Sequence, residues 1–491
     1  MLSASAKPER WLWLLTIVGC VFRLYDLGGE SLWLDEVVTA ERVYQPIGQI
    51  VLGWDSVTQG PLYYLWVKAW CLLVGTNEWT LRIWSVVWGT LTIPAVFQLG
   101  RLLFTRSVAM WSALFMTVLP FAVHYSQEAR PYALFLLLST LSFRYWSRLL
   151  ALHTRRDAIL YVVATAGAFY THPFAVFLIM AQLLHAIVFR GDERVAAAWR
   201  TPRPFVWTLV CLGLACLPEI VQNLSAMKAK VGGTSSAGWI PVPDWTWFLE
   251  TPVQFFMSMT FGAAVLTITM ALIVLSTRGD RLLRECVKWS LVVVGCFWCV
   301  PWIVSHALSP VAVMRYAAPS LLALVFLMAA ATVALPKLPQ LGVGIVLALL
   351  TAFPLWNYYT KVDKDPWRQT AEYLTGVVGP RDVIVSYPYF TRGAVAYYLP
   401  AGLRTKVIAP RSVAALDSAL AEAASVWVVD SYSTTAKNGA AELARLKQWG
   451  SEGVSVNMHE QLTMNPNRYW AAPVQVWRRD RDKIGVAPRT E

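Results

Sequence analysis

The sequence predicts an α-helical polytopic membrane protein that ends in a small α/β domain outside the membrane. Three observations predict it. Of 491 residues, 56% are hydrophobic and only 15% charged, with a mean hydropathy of +0.47, whereas soluble domains carry about 25% charged residues. Apolar runs of about the 20 residues that a bilayer core requires recur from the N-terminus to Trp356. Beyond Trp356, short β-rich runs alternate with helical patterns. A soluble enzyme of ordinary composition is excluded. The 25 Trp and 19 Tyr suit a chain whose aromatic side chains gather where membrane meets water.

The candidate spans, in order, are Trp11–Leu27, Trp79–Gly100, Ser107–Tyr125, Pro131–Leu152, Ala158–Thr171, Pro173–Phe189, Phe205–Asn223, Pro252–Ser276, Val287–His306, Tyr316–Leu335 and Gln340–Trp356, eleven in all. Trp11–Leu27 reads as a span rather than a cleaved leader, since it is long and no small-residue cleavage site follows it. Pro61–Val74 is too short to cross upright and carries Lys68 at its middle, which suits an interfacial helix. With that segment lying flat, 17 Lys and Arg fall at cytoplasmic ends and 7 at outer ends before the tail. If it crossed, the bias would invert. The positive-inside rule therefore places the N-terminus inside, and the loop 28–60, the turn at His124–Arg130, the turn at His172 and the turn at His306–Arg315 outside. The net charge of +12 then reflects basic cytoplasmic loops, not nucleic-acid binding.

All seven Cys lie in or beside apolar stretches, so the Cys296–Cys299 pair reads as buried packing rather than a metal or redox site. The expected division is residues 1–356 as the membrane domain, with 28–78 its first outer loop, and 357–491 as an extracytoplasmic α/β domain. In the latter, Asp365–Pro366 reads as a helix start. Strands are expected at Asp382–Tyr389, Thr405–Ile408, Ser425–Asp430 and Pro473–Trp477. Helices are expected at Thr391–Leu399, Ser412–Ala424 and Ala436–Trp449, with a polar tail from Arg478.

Two clusters on the outer face carry chemistry. Ser31-Leu32-Trp33-Leu34-Asp35-Glu36 places adjacent acids beside residues that hold the loop at the membrane. The two side chains diverge on either a helix or a strand, so they should find different partners. A carboxylate in a partly dry site can serve as a general base. His124-Tyr125-Ser126-Gln127-Glu128-Ala129-Arg130-Pro131-Tyr132 gathers polar and aromatic groups at the junction of two spans, where ionisable residues are costly and mark function. A plain surface turn with Glu128 and Arg130 paired is the alternative. His124, His172 and His306 share the outer face without the i,i+4 spacing of metal ligands. Arg315 beside Tyr316 can anchor at headgroups or hold a phosphate with its planar fork. Together these groups suit a lipid-linked phosphate donor and a sugar. No nucleoside triphosphate motif is present.

At these residues the sequence resembles the GT-C glycosyltransferases, specifically the bacterial family similar to protein O-mannosyltransferases and aminoarabinose transferases. The matching passages are Trp33-Leu34-Asp35-Glu36, Gly60-Pro61-Leu62-Tyr63-Tyr64 and Tyr125-Ser126-Gln127-Glu128-Ala129-Arg130-Pro131-Tyr132-Ala133-Leu134, with Tyr170-Thr171-His172, Arg315-Tyr316 and Asp365-Pro366-Trp367-Arg368 as further landmarks. The resemblance implies a membrane enzyme moving a sugar, with inversion, from a polyprenyl-phosphate donor to a hydroxyl of a glycan, lipid or protein. It implies Asp35 as catalytic base and Glu128 as the second acid. Glu36, Gln59, Tyr63, Arg130, His172, Arg315 and Tyr316 are the expected substrate contacts. The family commonly has His or Lys just before the Pro of its surface helix, whereas Gln59-Gly60-Pro61 stands here. That shifts phosphate binding to Arg130, His172 and Arg315. No cofactor is implied with certainty; a divalent cation at Asp35, Glu36 and Glu128 stays open. A lipid-linked glycan transporter and a non-catalytic sugar-lipid binding protein are the other readings. Outer-end charges and the lack of an internal repeat favour the enzyme.

Overall fold

Asn77 starts one of the longest helices of the bundle. Its side chain accepts a hydrogen bond from the Thr80 amide at 2.9 Å, and the Thr80 hydroxyl accepts one from the Asn77 amide at 2.8 Å. This capping box satisfies two amides that the first helical turn leaves without partners, and the helix Glu78–Leu103 follows. The structure is a computed structural model that describes residues 9–52, 59–231, 240–276, 280–361, 364–421, 423–431, 440–449, 451–458 and 474–481. It divides into two units: residues 1–27 with 43–358, and residues 28–42 with 359–491.

The first unit is helical. Glu78–Leu103 packs against Arg10–Leu24, Arg106–Val118 and Tyr132–Leu152, and Gly100 lets a neighbour come close: a Cβ there would sit 3.0 Å from the Ala109 Cα. Leu321–Val333 runs through the interior. The span that contains it is 89% buried, against 17% for Met259–Ser276 and 28% for Lys337–Thr360, whose apolar surfaces suit lipid. Phe143, Trp289 and Phe326 meet edge to face at 5.2 and 5.5 Å, the geometry that ring quadrupoles favour.

Six helices among the described residues are individually long and apolar enough to cross a membrane. A seventh span forms if Ala175–Val188 and Glu193–Arg200, bent by 98°, are taken together. The remaining apolar runs are helical too, but shorter, interrupted or, in the 21-residue helix Tyr132–Leu152, less apolar. Ser107–Tyr125 breaks into Arg106–Val118 and Pro120–His124 because Pro120 lacks an amide proton. Of Pro252–Ser276 only Met259–Ser276, one of the six, is a continuous span; the run breaks before it, where Met257 has a positive φ. Arg281–Ala307, one of the six and the counterpart of Val287–His306, carries a π-turn at Gly295–Cys299; the seven Cys are free thiols. Pro61–Val74 is a 14-residue helix whose Lys68 ammonium donates to the Val43 carbonyl at 2.7 Å. Its Trp66 and Trp70 pack edge to face on Trp84.

The second unit holds a five-stranded sheet: β1 (Val383–Tyr387), β2 (Val407–Ile408), β3 (Ser425–Ser431), β4 (Ser451–Asn457) and β5 (Val474–Asp480), in the order β2-β1-β3-β5-β4. β2, β1 and β3 are parallel; β5 is antiparallel to β3, and β4 to β5. Val385, Tyr387, Val426 and Val428 pack under Leu416, Leu420 and Leu446. Ser412 caps the helix Val413–Leu420, its hydroxyl accepting from the Ala415 amide at 3.2 Å. Two local expectations are corrected. The helix after Asp365 begins at Trp367 with Pro366 as its cap, because the Asp365 carboxylate instead accepts from the Trp367 indole at 3.2 Å. The chain does not loosen at Arg478: β5 runs to Asp480, where Arg478 and Asp480, two residues apart on one strand face, join Ser425 through contacts of 2.6–3.0 Å.

Candidate active site

In the second unit the helix Leu34–Tyr44 starts with Asp35 and Glu36 in its first turn, where the positive end of the helix dipole favours acids. Glu36 is fully buried. Its carboxylate accepts from the Trp33 amide at 3.4 Å and from the Lys364 ammonium at 3.0 Å. Asp35 points another way and is half-exposed. The segment is stitched to the C-terminal residues: Ser31 Oγ donates to the Asp365 carbonyl at 2.5 Å, the Leu32 amide to Tyr398 Oη at 2.7 Å, and Arg368 to the Gly29 carbonyl at 3.2 Å. The divergence of the two acids follows from helix geometry; Lys364 as the partner of Glu36 carried no sequence signal beyond its place beside the landmark Asp365-Pro366-Trp367-Arg368.

In the first unit the turn after Pro120–His124 gathers buried polar side chains. His124 Nε2 lies 3.0 Å from Glu128 Oε1, and the Arg130 amide donates to the Glu128 carbonyl at 2.7 Å. Two residues on, Tyr132 is a hub. Its hydroxyl oxygen accepts from Gln59 Nε2 at 3.1 Å and from Arg315 Nε at 3.0 Å, and the Arg130 guanidinium sits 5.8 Å from its ring centre. Tyr64 donates to Gln59 Oε1. Tyr316 lies 6.2 Å from Tyr132 and 4.7 Å from His172, ring to ring.

His172 is fully buried in this group. Gly60 makes the approach possible: its amide donates to the Thr171 carbonyl at 3.1 Å, the Leu62 amide to the Tyr170 carbonyl at 3.0 Å, and a Cβ on Gly60 would sit 2.1 Å from the Tyr170 oxygen. The Phe174 amide donates to His172 Nδ1 at 3.2 Å, so in the neutral ring Nε2 carries the proton, and Nε2 has no hydrogen-bond partner among the described residues. Burial, together with the Arg130 and Arg315 charges, pushes this imidazole down to about 3. The cluster therefore offers two fixed cations and a neutral donor, the chemistry that binds a phosphate.

The structure thus brings together Gln59, Arg130, His172, Arg315 and Tyr316 of the expected contacts. Tyr63 is buried edge-on against Tyr64 and Trp88, and Tyr64 supplies the link to Gln59. His306 is exposed, with its Nδ1 at 2.9 Å from the Trp302 carbonyl. Tyr132, present in the third matching passage but not singled out there, is the centre of the arrangement. Among the described residues no group of three or more His, Cys, Asp or Glu side chains could hold a metal ion.

These features define a multi-pass membrane protein with the fold of the GT-C glycosyltransferases. Residues 58–221 match the family model described as dolichyl-phosphate-mannose-protein mannosyltransferase. Among solved structures the chain is similar to ArnT from Cupriavidus metallidurans, at 13% identity and a TM-score of 0.60, over 95% of this chain and 97% of that one. ArnT bound to undecaprenyl phosphate matches equally well, at 13% identity and a TM-score of 0.60, over 96% and 98%. The Archaeoglobus fulgidus oligosaccharyltransferase matches with 10% identity and a TM-score of 0.52, over 91% of this chain and 73% of that one. No curated protein sequence matches the chain.

Proposed function

We propose that the protein transfers a sugar from a polyprenyl monophosphate to a hydroxyl group of a glycan, lipid or protein, on the outer face of the cytoplasmic membrane and with inversion. The observation that carries this reading is the convergence of Arg130, Arg315 and the neutral His172 around Tyr132. A monophosphate fits two guanidinium groups and an imidazole N–H, and the solved ArnT complex contains undecaprenyl phosphate. The 17-to-7 bias of basic residues supports an outer-face site with the N-terminus inside.

In this mechanism Asp35 accepts the proton of the acceptor hydroxyl. The acceptor oxygen bonds to the anomeric carbon as the bond from that carbon to the phosphate oxygen breaks, and the polyprenyl phosphate departs with the electron pair. Arg130, Arg315 and His172 stabilise the charge that gathers on the leaving phosphate, the electrostatic work that is worth most in a site shielded from water. Glu36, committed to Lys364 and the Trp33 amide, holds the helix that presents Asp35. Glu128, fixed by His124, anchors the backbone from which Arg130 projects. Purified protein in liposomes, incubated with labelled polyprenyl-phosphate sugars, tests the reading. The expected result is loss of label from the lipid carrier with inverted product stereochemistry. Label crossing the bilayer on an intact carrier would make the protein a transporter, and binding alone would make it a sugar-lipid receptor.

A further inference from the structure

Arg23 stands inside the first helix, Arg10–Leu24, fully buried. An ionisable residue in such a helix is costly unless it is used, and nothing in the transfer chemistry above uses it. Its contacts follow from the break at Pro120. In an unbroken helix the amide of residue 120 would donate to the Met116 carbonyl, but proline has no amide proton. The next amide, of Phe121, donates instead to the Phe255 carbonyl at 3.2 Å, which strips the Thr117 carbonyl of its helical partner. Arg23 replaces both donors: Nη2 reaches the Met116 carbonyl at 3.2 Å and Nη1 the Thr117 carbonyl at 3.4 Å. A cation is also favoured there by the negative end of the helix Arg106–Val118. The same guanidinium ties back to its own helix through the Gly19 carbonyl at 2.9 Å, and its Nε donates to Ser126 Oγ at 3.1 Å.

Ser126 lies in the turn that carries Glu128 and Arg130. Its hydroxyl donates on to the Ala122 carbonyl at 2.5 Å, so one planar fork joins the broken helix end to the turn. Two glycines make room. A Cβ on Gly89 would lie 1.9 Å from Ser126 Oγ and 3.2 Å from Arg23 Nε, and one on Gly19 would lie 3.2 Å from Arg23 Nη1.

We propose that Arg23 is a positioning residue: through Ser126 it latches the turn His124–Arg130 against the helix break, and so sets where Arg130 stands for the lipid phosphate. The phosphate readout rests on the function proposed above; the latch itself does not. The full chain in lipid nanodiscs is made as Arg23→Lys, Arg23→Met, Ser126→Ala and Gly89→Ala, and three quantities are read: undecaprenyl phosphate affinity, melting temperature, and amide exchange across residues 124–131. Ser126→Ala cuts the link to the turn together with the bond to the Ala122 carbonyl but spares the Arg23 bonds at the helix break, and Arg23→Lys keeps the cation but loses the fork. Each is expected to weaken binding 5- to 10-fold and to speed exchange in the turn. Ser126→Ala should lower the melting temperature less than Arg23→Met does, and the double variant Arg23→Lys/Ser126→Ala should bind no worse than either single. Gly89→Ala should push Ser126 away and act in the same direction. Lower melting temperatures with wild-type affinity and wild-type exchange would overturn the latch and leave Arg23 a general structural residue. Wild-type protein that fails to bind undecaprenyl phosphate would overturn the proposed function instead; faster exchange in the Ser126→Ala turn would still uphold the latch, and unchanged exchange would overturn it.

Discussion

Two acid-bearing segments were legible in the sequence, and the protein uses them in different ways. At the start of Leu34–Tyr44, two adjacent carboxylates divide the work: Glu36 is buried on Lys364, and Asp35 is left half-exposed. In the turn after His124, the single acid Glu128 is paired with an imidazole 3.0 Å away, and the groups beyond it that converge are cationic or aromatic. In the function proposed above, one segment presents a base and the other presents charge for an anion. Adjacent acids need not share a role, because side chains one residue apart on a helix point in different directions. A lone acid in a basic, aromatic turn can be structural while its neighbours bind.

The comparison breaks most visibly at Asp35. Asp35→Asn should lower sugar transfer by about 100-fold or more, the scale of a general base, with the melting temperature unchanged. Transfer at the wild-type rate would remove Asp35 from the chemistry. Glu36 should behave in the opposite way. Glu36→Ala leaves the partly buried Lys364 ammonium without its carboxylate, and thermal unfolding should show a loss of about 1–3 kcal/mol; in the double variant with Lys364→Met much of that loss should return. A Glu36→Ala protein of full stability would mean that the two acids are not divided as described. Gly60→Ala tests the approach that seats His172. Its Cβ would overlap the Tyr170 carbonyl, so about 1–3 kcal/mol of stability should be lost, as in overpacked sites, and donor affinity should fall with it.

The smallest effect concerns pH. His172 is held near 3 in the folded chain, below the ordinary 6.5, so it binds no proton at neutral pH in either state. Below about 6.5 the unfolded chain takes up a proton that the folded one does not. The unfolded state then binds more protons, and this residue's contribution to stability falls as pH falls. Nitrogen NMR on His-labelled protein should show His172 neutral and protonated at Nε2 from pH 5.5 to 8. His172→Gln, whose amide reaches the Nε2 position, should keep donor affinity within about 3-fold, while His172→Asn should not. Titration of the ring within that range would contradict the neutral-donor role.

Much of the fold could be read in advance because a bilayer imposes one length and one polarity on every span. Where reading failed, local periodicity was not the deciding force. Pro120 was visible, yet the break it causes matters through Arg23, nearly one hundred positions earlier in the chain. β4 went unread because Ser451–Asn457 offers only two Val and a Gly at a sheet edge, stabilised by pairing with β5. In the site, Arg130, His172 and Arg315 were identified by their type and place at span ends. Tyr132 as the hub and Lys364 as the partner of Glu36 depend on contacts between residues 183 and 328 positions apart, which no motif encodes.

The central claim is that Arg130 and Arg315 hold a lipid phosphate around Tyr132. Undecaprenyl phosphate affinity of the full chain in nanodiscs, measured for wild type, Arg130→Met and Arg315→Met, tests it most directly. Each charge-assisted contact of this kind is worth about 1.5–3 kcal/mol, so each variant should bind about 10- to 100-fold more weakly while staying folded, and the wild-type affinity should fall with added salt. Folded variants that bind undecaprenyl phosphate as tightly as wild type would contradict the account.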